Sequence, residues 1–374
     1  MRYRGLTWDH PRGYHALAAA AGTLDKATDG LAITWDRQPL EGFETHPIAD
    51  LCARYDLIVL DHPHVGEAVA CEGLIPLESL FDATEIASWG AAAIGRSLAS
   101  YHYAGRHWAL PLDAATQVMA VRPDLVDAPL PETWDEVLAL AARAPVALSL
   151  AGPHAALSFQ SIAAAIDGHA PRDPDRFVGE DTGRAVLAIM APLAAATPDA
   201  VRRLNPIGLL ETMTQGDTVA LCPLVYGYVN YAQAIAFADV PVARPGGRRG
   251  STLGGTGIGI SARTEVTPAL LDHLRWLMSD TAQRGFIPVH DGQPSRRDAW
   301  ADDAVNARHG DFYRNTARTI EQAYVRPRFD GAIAFQTVAS ALIRDGLTAG
   351  TSHAAMLATV QDAYHRHRPA GAEL

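Results

Sequence analysis

Cysteine is scarce in this chain: Cys52, Cys71 and Cys222 are three residues among 374, an odd number at wide spacings. That suggests neither a disulfide framework nor a zinc site; with two of the three inside apolar helical patterns, buried free thiols are expected. Long apolar runs are missing too, so no segment is expected to span a membrane. Positive charge is in deficit, with 31 Lys plus Arg against 42 Asp plus Glu and a net charge of −11. This balance favours solubility and works against a non-specific grip on phosphates or anionic lipid, so no nucleic-acid partner is expected. No Gly-x-Ser-x-Gly elbow, His-Glu-x-x-His or Cys-x-x-Cys occurs. Gly254, Gly255 and Gly257 lack the strand-before, helix-after setting of a dinucleotide loop, and there is no Walker lysine. No cofactor is expected. The amino terminus, MRYRGLTWDHPRG, has no apolar leader core and no small-residue cleavage site. As it stands it points to the cytoplasm; with a leader removed, the periplasm or the exterior would be the place of work.

What the chain has is length and apolar content. At 374 residues and 48% hydrophobic it exceeds what one core accommodates, so two domains are expected. Residues 3–8, 31–35 and 57–60 read as short apolar strands, with helical patterns at 14–22 and 48–55 between them, the alternation of a parallel βαβ sheet. A β-rich stretch at 100–121 carries the chain out of this unit. Helices near 133–144, 154–166 and 182–196, with a short strand at 147–150, build a second and more helical one. The apolar run around Val219, Pro223 and the glycine-rich return at 246–259 mark a recrossing, and the loop with Arg248 and Arg249 reads as a solvated turn. Helical patterns at 312–324, 335–343 and 352–364 are expected to pack on the second unit.

Four patches occur in a telling order. Residues 105–136 place Gly-x-x-aromatic-Ala-Leu-Pro before a strand and a Thr-Trp-Asp-Glu helix start; residues 211–232 read ETMTQGDTVALCPLVYGYVNYA; residues 254–262 read GGTGIGISA; and 269–299 place paired helices before a Gly-x-Pro-Ser loop. Together they resemble the bacterial extracellular solute-binding protein family 1, the sugar-type substrate-binding proteins of ABC transporters. The resemblance implies an α/β, two-lobed fold of the periplasmic-binding-protein type 2 kind. Each lobe would be a mixed sheet flanked by helices, joined by a hinge of two crossing segments. Residues 1–112 with 254–305 would form one lobe, and 113–253 with 306–374 the other. A hinge-bending monomer that serves an ABC permease is the corresponding expectation.

Ligands of open α/β sheets bind beyond the carboxyl ends of the strands. The first strand ends in Trp8-Asp9-His10-Pro11 and the third in Asp61-His62-Pro63-His64. As neighbours they would bring Asp9, His10, Asp61 and His62 to one mouth, where carboxylates accept from hydroxyls and imidazoles donate or accept. The plainer reading makes each Asp-His-Pro a helix start, Asp as N-cap and Pro in the first turn. A metal held by His10, His62 and His64 finds no recognised ligand spacing, and none is expected. Where the resembled family carries aromatic residues that stack on a sugar ring, this chain has Tyr226, Tyr228, Asn230 and Tyr231; packing with a satisfied hydroxyl is the alternative. Trp108, Asp113 and Gln117 flank the first hinge, Gly255 allows close backbone approach, His290 edges the cleft, and Trp8 either stacks on ligand or joins the core. With these residues, the resemblance implies a protein that closes around a small polar ligand (a sugar, polyol or related hydroxy acid) for ABC-type uptake. A second reading is a cytoplasmic enzyme on the same scaffold. There His10 or His62 would act as general base and acid, oriented by Asp9 or Asp61, in lyase or isomerase-type chemistry on a small carbonyl or carboxylate compound.

Overall fold

Nine strands are formed in the computed structural model, which describes residues 1–27, 30–168 and 173–372. They are β1 (Arg2–Trp8), β2 (Ala32–Gln38), β3 (Leu57–Leu60), β4 (His102–Tyr103), β5 (Arg106–His107), β6 (Leu110–Val121), β7 (Leu221–Tyr226), β8 (Ala236–Ala238) and β9 (Leu253–Ile260). Seven of them form one mixed sheet in the order β2-β1-β3-β9-β6-β7, with β8 also on β6; β4 and β5 pair separately. β1 lies parallel to β2 and β3, as the βαβ alternation predicts, whereas β9 returns antiparallel between β3 and β6.

β6 ties the molecule together. Its first half pairs with β9 and its second half with β7 and β8, so one strand runs through both parts of the sheet. All twelve of its residues are buried, because helices cover it on both faces. A core around Trp8, Leu17, Ile33, Phe43, Leu57, Leu110, Ile258 and Leu274 lies on one side. Another, around Met119, Trp134, Phe159, Met190, Leu224, Phe335 and Tyr364, lies on the other and takes in the tail helices. The fold is two-lobed.

Local chemistry sets the helix starts. Thr133 and Glu136 close a capping box on Trp134–Ala141, and Thr267 caps Pro268–Leu277 with proline in the first turn. Four helices come after the first three strands: α1 (Pro11–Ala27) after β1, α2 (Leu40–Thr45) and α3 (Ile48–Arg54) after β2, and α4 (Val65–Ala70) after β3. α2, a single short helix behind Pro39, has no counterpart among the sequence expectations. The segment expected as a strand at 147–150 is not one; beside it Val146 bridges to Leu221 of β7, and the Ala147 N–H donates to the Leu221 carbonyl at 2.9 Å. The turn read as solvated holds a buried Arg249, whose Nη1 donates to the Val240 carbonyl at 2.5 Å while its N–H meets Gln322. Cys52 and Cys222 are buried, but Cys71 is exposed, because it follows α4 rather than lying inside it. Among the described residues, no helix is long and apolar enough to cross a membrane.

Gly250 sits where the backbone of the helix His154–Asp167 presses on the chain entering β9: a Cβ there would lie 2.1 Å from Ala165 N and 2.2 Å from Ser161 O. Gly250→Ala should therefore destabilise the protein by roughly 2 kcal/mol. Gly22→Ala, in α1 with nothing within 4 Å, should stabilise it by roughly 0.5–1 kcal/mol. Urea midpoints of the two variants check this, and equal midpoints would remove the close-approach argument.

Candidate functional site

Because β1 and β3 are parallel neighbours, both Asp-His-Pro turns leave the same edge of the sheet, yet they do different things. Asp9 points outward, 58% exposed, and accepts from Arg37 at 2.9 Å. His10 takes the capping role at α1, its Nδ1 accepting the Arg12 N–H at 3.2 Å, and its ring meets Tyr228 edge-on at 4.8 Å. The second turn matches the plainer expectation: Asp61 accepts the His62 N–H at 2.8 Å. It also accepts from Arg326 Nη2 at 2.5 Å. His62 is fully enclosed; its Nε2 accepts the Arg326 N–H at 3.3 Å, and its Nδ1 lies 3.2 Å from Asp61 without hydrogen-bond alignment. His64 is buried beside the Phe43 backbone, and neither ring nitrogen completes a well-aligned hydrogen bond.

Two arginines that carried no weight in the sequence expectations organise this edge. Arg12 grips Asp113 of β6 in a fork, Nε to Oδ2 at 2.8 Å and Nη2 to Oδ1 at 2.5 Å. Its Nη1 donates to the Gly227 carbonyl at 3.1 Å, and its plane lies over Tyr228 at 4.7 Å. Helix, hinge strand and the loop after β7 thus meet at one buried guanidinium. Arg326 repeats the arrangement, reaching Asp61, the Leu253 carbonyl at 3.1 Å and Gln336 at 3.1 Å. Burial works against the charge on both arginines, but Asp113 and Asp61 outweigh it and hold their pKa values above the ordinary one. Burial also works against the Asp61 carboxylate, but Arg326 and His62 together pull its pKa well below the usual range. The imidazoles respond the other way. Burial lowers His10, His62 and His64 to about 4, with Arg12 adding to the effect at His10 and Arg326 at His62. All three are neutral near pH 7 and act there as hydrogen-bonding groups.

On the facing wall, Tyr226 lies flat against Gly254, where a Cβ would sit 2.4 Å from the ring, and its hydroxyl is 3.3 Å from Thr252 Oγ1. Its neighbour is His154, 1% exposed, edge-on at 5.8 Å. His154 Nε2 lies 3.4 Å from the Glu44 carboxylate of α2 across the interface, without hydrogen-bond alignment. Nearby, Asn205 donates to Glu41 at 3.1 Å, Asn230 to the Asp291 carbonyl at 3.2 Å and the Val229 N–H to Gln293 at 2.8 Å. Tyr228 carries Arg12 on its face, so its part here is to hold the guanidinium. Trp8 is 2% exposed, against Phe43 at 5.1 Å with Gly13 beneath its ring, while its Nε1 has no hydrogen-bond partner.

Other expected residues are engaged elsewhere. Gln117 is locked between β6 and the helix His154–Asp167, accepting from Ser161 at 2.6 Å and donating to Ser158 at 3.3 Å. Trp108 donates to the Tyr103 carbonyl at 2.8 Å and packs on the first lobe. Gly255 has φ +90, with its would-be Cβ 2.4 Å from the Asp113 carbonyl, so the register shift in β6 accounts for the glycine. The His290 ring lies tilted against Phe286 at 4.2 Å, and its Nδ1 meets the Phe286 carbonyl at 2.9 Å. Among the described residues, no three His, Cys, Asp or Glu side chains converge to hold a metal ion. Arg12, Glu44, His154 and Arg326 were not foreseen. Only Arg12 had a signal, its place beside Asp-His-Pro; its partner Asp113 is 101 residues away.

A family model described as bacterial extracellular solute-binding protein matches residues 45–309. No curated protein matches the chain. Among solved structures, a solute-binding protein of an ABC transporter from Agrobacterium radiobacter K84, in complex with ribitol, superposes with a TM-score of 0.80 at 20% identity over 98% of each chain. Maltose-bound MalE3 of T. maritima gives 0.81 at 16% identity, over 98% of this chain and 99% of that one. A solute-binding protein from Agrobacterium vitis S4 with bound D-mannitol gives 0.76 at 16%, over 98% and 97%.

Two outcomes are expected from the site's electrostatics. Asp113→Ala strands a buried guanidinium and should cost about 3–5 kcal/mol in urea unfolding, whereas Arg12→Met with Asp113→Leu should recover much of the loss. The histidines depressed from 6.5 to about 4 bind protons more readily in the unfolded chain, so stability should fall as pH drops from 6.5 toward 4 and flatten below it. Asp61 adds a loss only at still lower pH. In His64→Gln the decline between pH 6.5 and 4 should be shallower, and an unchanged slope would remove His64 from the account.

Proposed function

The chain belongs to the bacterial extracellular solute-binding proteins, and from that premise we propose that it closes its lobes on a small neutral polyhydroxylated ligand, a sugar or polyol, for delivery to an ABC-type permease. One observation carries the choice of ligand: around Phe43 and Glu44, His64, His154 and the Trp8 indole are buried, and their ring nitrogens complete no well-aligned hydrogen bond with a protein group. Buried polar groups are costly unless paired, and hydroxyls that both donate and accept suit neutral imidazoles and an indole N–H. Arg12 and Arg326 are already committed to Asp113 and Asp61, which favours a neutral ligand over a hydroxy acid. Ribitol, D-mannitol and maltose, bound by structurally similar proteins, belong to the same chemical class.

Residues 1–112 with 254–305 would move as one lobe against 113–253 with 306–374; the two apolar cores on either side of β6 support this division. Ligand would favour the closed state because Glu44 and His64 lie on one side and His154 and Tyr226 on the other. The acid–base alternative lacks comparable support: Asp9 bonds Arg37 rather than His10, and His62 is enclosed behind Arg326.

A thermal-shift screen over sugars, polyols and hydroxy acids tests the proposal. One neutral compound should raise the melting temperature in a concentration-dependent way, and His154→Ala and His64→Ala should each weaken its binding about tenfold or more by calorimetry. A flat profile, or a response confined to hydroxy acids, would overturn it.

A further inference from the structure

We propose that Cys52 and Cys71 form a disulfide that staples α3 to the end of α4, beneath the turn bearing Asp61, His62 and His64. The position that a Cβ would take at Gly73 lies 2.9 Å from Cys52 Sγ and 3.0 Å from Cys71 Sγ. The sulfurs are therefore separated by no more than the sum of those distances, and the glycine leaves no side chain between them. A larger residue at 73 would collide with both. Cys52 Cβ, at 3.3 Å from the same point, shows that the Cys52 side chain is directed toward it. The supporting frame is already joined, since the Ile48 N–H that opens α3 donates to Glu67 of α4 at 3.0 Å. Between the two cysteines the chain runs through β3, the second Asp-His-Pro turn and α4. A bond would thus close a loop of about twenty residues that carries one wall of the cleft.

The two thiols differ in access, which orders the chemistry. Cys71 is exposed, with Sγ 3.5 Å from the Ala68 carbonyl, whereas Cys52 is 7% exposed; burial raises both thiols, Cys52 to about 12. A small disulfide compound such as oxidised glutathione is the oxidant. Cys71, as thiolate, attacks one oxidant sulfur; the oxidant's S–S bond breaks, and one half leaves and takes up the proton that Cys71 gave up. Cys52, on losing its proton, then attacks Cys71 Sγ and expels the second half, which takes up that proton. Two cysteine thiols are oxidised by two electrons, and one disulfide is reduced to two thiols. Cys222, buried on β7 in the other lobe, takes no part.

The full chain, first reduced and then held with oxidised glutathione under native conditions, supplies the test. After unfolding in a maleimide, only Cys222 should be labelled, and non-reducing peptide mapping should find one cross-linked pair joining Cys52 to Cys71. The oxidised form should melt roughly 5 °C above the reduced form. Cys71→Ser should abolish both the cross-link and the difference in melting. Label on both Cys52 and Cys71 after oxidation, glutathione retained on Cys71, or dimers through Cys71 would each overturn the proposal. A cross-linked form melting no higher than the reduced one would overturn the staple.

Discussion

A guanidinium removed from water must be matched by charge and hydrogen bonds, and the geometry of the cleft depends on how Arg12 meets that demand. Its fork fits the Asp113 carboxylate, its remaining donor reaches the Gly227 carbonyl, and its plane rests on Tyr228. The contacts fall on two other segments, so the start of α1, the first part of β6 and the loop after β7 cannot shift independently without uncovering a charge. Such pairs contribute little net stability once desolvation is counted, but breaking one side is costly. Their effect here is to specify position. Arg326 does the same for the second turn, holding Asp61 to the start of β9 through the Leu253 carbonyl.

With those two arginine charges absorbed in this way, the buried imidazoles of the cleft are left neutral. Burial keeps the imidazoles of His10, His62 and His64 uncharged near neutral pH, and the ring nitrogens of His64 and His154 complete no well-aligned hydrogen bond with a protein group. A general acid or base works best with a pKa near the operating pH and within reach of its substrate. An enclosed imidazole titrating near 4 meets neither condition. The same features suit recognition of hydroxyl groups, in which no proton changes hands.

The fold was legible in the sequence wherever the signal was local. Alternating apolar residues located β1, a short apolar run located β3, the β-rich stretch at 100–121 contained β6, and Thr133 with Glu136 marked a helix start. The adjacency of the two Asp-His-Pro turns came from the βαβ rhythm, because parallel neighbours place their carboxyl ends at one edge. What each turn does was not legible: Asp61 caps as its type suggests, but at the first turn His10 caps and Asp9 turns outward to Arg37. α2 escaped notice because six residues are too few to show a helical period, and Glu44 escaped with it.

By itself, then, the sequence determined the first three strands, several helix starts, the excess of negative charge and the order of segments that marks the family. Those properties depend on residues a few positions apart or on composition, and they hold whatever path the chain takes. Tertiary structure alone decided that Arg12 faces Asp113, that His154 faces Glu44, and that Cys52 and Cys71 share the space beside Gly73. No periodicity links such partners; they are brought together by where β6 and β9 run through the sheet and by which groups remain to be paired once water is excluded.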